Sequence, residues 1–69
     1  MLLNKIEYKF KHENRYYWVT YNAISGFTTI TVDYGEEIKE VYMTMFVCDD
    51  RKAAEIFLMG YINHEKRKG

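Results

Sequence analysis

KIEYKFKHENRYYWVTY, residues 5–21, is the stretch that decides the fold. In its first part Ile6, Tyr8 and Phe10 alternate with Lys5, Glu7, Lys9 and Lys11. Period two marks a strand buried on one face. His12, Glu13 and Asn14 interrupt the pattern, and RYYWVTY begins a second β-rich run. A hairpin turning at Glu13-Asn14 follows, because Asn tolerates the left-handed conformation that tight turns require. Pairing His12 with Arg15 sets Phe10 opposite Tyr17, Tyr8 opposite Val19 and Ile6 opposite Tyr21, so that one face is wholly apolar. The other face then holds Lys11 with Tyr16, Lys9 with Trp18 and Glu7 with Thr20. A slip of one residue inverts a strand and mixes the faces, so this register is the expected one.

The signals downstream are similar. NAISG (22–26) reads as a connector and FTTITVDY (27–34) as a third, β-branched strand. Gly35-Glu36 marks a turn, and IKEVYMTMFVC (38–48) reads as a fourth strand because Val, Tyr, Thr and Phe crowd it. With that turn, Ile30 is expected opposite Val41 and Thr28 opposite Met43. DDRKAAEIFLMGYINHEKRK (49–68) reads as a helix capped by Asp49 or Asp50. Ala53, Ala54, Ile56, Phe57, Leu58 and Tyr61 are its expected apolar stripe. Gly60 weakens a helix, and close approach to the sheet is its expected use. The sum is an α+β domain, ββββα: a four-stranded antiparallel sheet of two hairpins followed by a C-terminal helix on one face.

Length and composition bound the rest. The chain has 69 residues, read as a single domain over 1–69, with 48% apolar and 17% aromatic side chains. A domain this small needs a dense core, a staple or a second chain. One cysteine, Cys48, permits no internal disulfide and suits a reducing compartment. No signal-peptide or membrane pattern is visible, so a cytoplasmic location is expected. Ten basic and ten acidic residues cancel, unlike a generally basic nucleic-acid binder.

No catalytic constellation appears, and the expectation is a protein without enzymatic activity. His12, His64 and Cys48 are too widely spaced for a structural zinc site. Asp33, Glu36, Glu37 and Glu40 do not follow a calcium-loop spacing. Neither a metal nor a cofactor is expected. The four methionines, Met43, Met45 and Met59 among them, read as pliable core filler.

Function then rests on surfaces. The helix is expected to cover the face carrying Tyr17, Val19, Tyr21, Val41, Met43 and Met45. The opposite face would expose Tyr16, Trp18, Phe27, Tyr42 and Phe46. These residue types are enriched at protein interfaces, so those five are the candidate partner-binding residues. A meander order would leave the fourth strand at an edge, although it is apolar on both faces. Such a strand either lies centrally or pairs with a second chain. The leading expectation is a small protein-binding domain, self-associating as a homodimer. It would act as a regulator or inhibitor of a partner protein, in the style of a phage or mobile-element product. The alternative is a single-stranded nucleic-acid module. Tyr16 and Trp18 would stack on bases, with Lys9, Lys11, Arg15, Lys66, Arg67 and Lys68 on phosphates.

Overall fold

The computed structural model describes residues 4–68, with the side chain of Lys68 outside that description. The elements are β1 (Lys5–His12), β2 (Arg15–Asn22), β3 (Phe27–Asp33), β4 (Ile38–Met45) and α1 (Arg51–Lys68). The strands form one antiparallel sheet in the order β1-β2-β3-β4. The fold is therefore ββββα, as the residue pattern predicts.

The first hairpin has the register expected from its sequence, from His12 opposite Arg15 down to Ile6 opposite Tyr21. Glu13 and Asn14 both have positive φ, 51° and 65°. Positive φ at both central residues is what a type I′ hairpin turn requires. The 22–26 connector is held by the Asn22 side chain, whose Oδ1 accepts from the amides of Ile24 and Ser25 at 2.9 and 3.1 Å. At the β3–β4 turn Gly35 adopts a φ of 90° and donates its amide to Asp33 Oδ1 at 2.8 Å. Glycine takes that conformation without steric cost.

The fourth strand departs from expectation twice. A β-bulge interrupts its pairing with β3 between Ile30 and Thr31. Ile30 consequently faces Tyr42 rather than Val41, and Thr28 faces Thr44 rather than Met43. One inserted residue inverts every side chain beyond it. Tyr42 thereby points to the helix, stacking on Tyr61 at 5.8 Å and tilting against Phe57 at 6.0 Å between ring centroids. Such ring pairs add about 0.5–1.5 kcal/mol each beyond their buried area. The strand also stops at Met45, earlier than the predicted Cys48. Phe46 keeps one ladder bond, donating its amide to the Gly26 carbonyl at 3.2 Å. The buried Thr28 hydroxyl donates to the Phe46 carbonyl. Past that clip the chain crosses beneath the sheet, and Cys48 enters the core.

The core lies between sheet and helix: Tyr17, Val19, Ile30 and Val32 from the strands, Cys48, and Ala54, Leu58 and Ile62 from α1. Tyr8, Phe10, Tyr21, Val41, Phe57 and Tyr61 pack around it. Ile62 joins the stripe where Ile56 was expected; Ile56 is exposed. Asp50 is the N-cap, its Oδ1 accepting from the Ala53 amide at 2.7 Å. Gly60 is exposed, and a Cβ there would meet nothing within 4 Å, so it does not mark a close approach to the sheet.

Candidate protein-binding surface

The bulge at Val41 redistributes the five candidate residues. Tyr16 and Trp18 stay on the outer face, at one end of the first hairpin, opposite Lys11 and Lys9. Lys9 Nζ lies 4.4 Å from the Tyr16 ring centroid and 5.8 Å from that of Trp18. Lys11 Nζ is 5.6 Å from the Tyr16 ring. The lysines lie over the rings through cation–π contact, with their stems along apolar surface. Phe27 shares the outer face but sits next to Met45. Thr20, Thr29 and Thr31 occupy the sheet between these ends. Tyr42 and Phe46 lie on the helix side, where Phe46 stacks on Phe57 at 4.9 Å. The expectation that all five share the outer face is thus corrected: they divide between two faces.

The basic residues divide as well: Arg15 and Lys66 line one cleft beside the Glu13 turn, away from Lys9 and Lys11. Arg15 packs over the Tyr34 ring at 5.0 Å, and Lys66 pairs with Glu13 at 3.5 Å, whereas Lys9 and Lys11 belong to the outer face. Arg67 lies on the last turn of α1.

What the structure does assemble is an apolar border along β4. Met43 is 61% exposed, Met45 69%, Val47 59% and Ile38 63%. Met43 and Met45, expected to fill the core, are therefore surface residues; the bulge turns them out. Beside them, Val41, Tyr42, Phe46, Ile56, Phe57 and Gly60 line a groove of about 560 Å³ between β4 and α1. Ile56 is itself 63% exposed at its margin. In the sequence Met43 and Met45 read as core filler, and their exposure is the opposite of that role. The available signal was the one already noted, a fourth strand apolar on both faces.

β4 is an edge strand in this order, and β1 is the other edge. The two edges differ. On β1, Arg51 donates from its guanidinium to the Lys9 carbonyl at 2.9 Å and lies 4.4 Å from the Phe10 ring. Lys5, Lys9 and Lys11 add charge along it. Lysines and covering contacts of this kind blunt an edge against pairing. Along β4, charge is confined to Lys39 and Glu40 near its start.

Burial raises the Cys48 thiol pKa; a hydrogen bond with Thr28 opposes this, and Asp49 and Asp50 add to it. A reactive thiol has the opposite shift. Among the described residues no group of three or more His, Cys, Asp or Glu side chains could hold a metal ion. No described helix is long and apolar enough to cross a membrane. Comparison with known protein families, curated proteins and solved structures finds no match.

Proposed function

We propose that this chain is a small non-enzymatic protein-binding domain that self-associates, and that it regulates or inhibits a partner protein by occupying its surface. The observation that carries this reading is the β4 border: Met43 and Met45 exposed on an edge strand, with exposed Val47 just past its end, beside a mostly apolar groove. Contiguous exposed apolar surface on a small domain marks an interaction site, and methionine and aromatic residues are types that interfaces favour. The nucleic-acid reading has less support, because Lys9 and Lys11 lie over Tyr16 and the remaining cations lie elsewhere.

Size-exclusion chromatography with light scattering over a concentration series tests it. The wild type is expected to gain mass with concentration. Met43→Lys with Met45→Lys should hold it at the monomer mass while leaving the helical circular dichroism unchanged. A wild type that stays monomeric throughout would refute self-association through this border.

A further inference from the structure

We propose that two copies of the chain join β4 to β4, antiparallel, about a two-fold axis at Thr44, closing a dimer instead of extending a filament. The inference rests on the protein-binding reading of the β4 border and adds the occupant, the register and the closure.

The register follows from the ladder. Phe46 gives its amide to Gly26, so alternation along an antiparallel pair turns the backbone groups of Met45 and Met43 away from β3. Those are the groups a second strand would engage. Pairing Met43 with Met45 of the partner subunit satisfies them mutually, and two-fold symmetry repeats the bond pair. Thr44 then faces Thr44 of the partner subunit. On the outer side the exposed methionines of both copies meet, and Phe27 lies next to Met45 at their margin. On the helix side Tyr42 meets the partner's Phe46, continuing the ring stack of Phe46 on Phe57 and Tyr42 on Tyr61. An axis at Met43 instead would set Met45 against the bulged Val41 of the partner subunit, outside the stretch of regular pairing. The bulge at Val41 confines regular pairing to residues 42–46, so the groove margin at Ile56 must contribute to the buried area.

Closure follows from the other edge. A head-to-tail contact would pair β4 with β1 of the next copy and propagate without limit. The Arg51 bond to the Lys9 carbonyl and the β1 lysines oppose that contact. β4 meeting β4 uses up the open edge of both copies.

Thr44→Cys provides the test. Directly opposed residues at a non-hydrogen-bonded pair have Cα atoms about 4.5 Å apart, within disulfide range. Cys48 is fully buried, so the wild type serves as the unlinked control. Under mild oxidation Thr44→Cys is expected to form a disulfide-linked dimer in high yield, whereas Met43→Cys and Met45→Cys link only when mixed. A dimer by light scattering that fails to link at Thr44, or in which Met43→Cys links to itself, overturns this register and leaves the protein-binding reading standing. Mass that grows without limit overturns the closure. A monomer at all concentrations overturns both this inference and self-association. Should Thr44→Cys fold poorly, Met45→Lys alone decides: reduction to a monomer supports the paired edge, and an unchanged dimer rejects it.

Discussion

At Thr28 a single hydroxyl holds two elements together. It is fully buried and donates to the Phe46 carbonyl, so the chain leaves β4 at a fixed point. Thr28→Val keeps the shape and removes the donor. The expected cost is about 1 kcal/mol, read as a lower midpoint in urea denaturation with an unchanged slope. Cys48, next in line, has a pKa raised chiefly by burial, and Tyr61 has one raised by burial and then by Glu65. A group whose folded pKa lies above its unfolded value contributes stability that is full below the unfolded value. That contribution is lost as pH rises through the folded one. Thermal unfolding should therefore be insensitive to these groups near neutrality and shift downward above about pH 8.5. In the same buffers at pH 7 a thiol reagent should modify Cys48 no faster than the protein unfolds. Rapid labelling of the native protein would contradict the burial.

At the scale of elements, the first hairpin and the helix follow local chemistry. Positive φ at Glu13 and Asn14 comes from a hairpin turn of the favoured class, although Glu is a costly occupant. Glu13 also pairs with Lys66 at 3.5 Å, linking the turn to the last part of α1. α1 begins at the Asp50 cap and carries Ala54, Leu58 and Ile62 into the core at intervals of four. Gly60 interrupts it on an exposed side with open space around the position. Gly60→Ala is expected to stabilise the helix by about 1 kcal/mol, which raises the melting temperature by about 4–8 °C for a domain of this size. The measurement belongs at low concentration, where the monomer prevails. A fall in stability there would mean that Gly60 is packed against other residues of the same chain.

For the whole molecule, the small core is the governing fact. Ile30, Leu58, Val19 and Val32 are its largest fully buried apolar side chains. A core of this size supplies about 3–5 kcal/mol. Leu58→Ala costs about 2–5 kcal/mol, so it is expected to unfold the chain at ambient temperature, seen as loss of helical circular dichroism. The proposed association would add to that stability. If β4 pairs between copies, the melting temperature rises with protein concentration by mass action. It should rise for the wild type and stay constant for Met43→Lys with Met45→Lys.

The sequence by itself determined the elements, the class and the first hairpin's register. Each of these depends on neighbours along the chain: period two over 5–11, a turn residue at Asn14, and a cap before an apolar run after Asp50. It also exposed the conflict in 38–48, a strand apolar on both faces. Only the tertiary structure decided which face of that strand is which. The bulge at Val41 is a choice between pairing registers. It is made because Phe57 and Tyr61 on a distant helix receive the Tyr42 ring, and because Thr28 clips the Phe46 carbonyl. The strand order and the Arg51 contact that separates a covered edge from an open one are likewise long-range matters. That is why Tyr42 and Phe46 moved to the helix side while Met43 and Met45, read as core, became the exposed border.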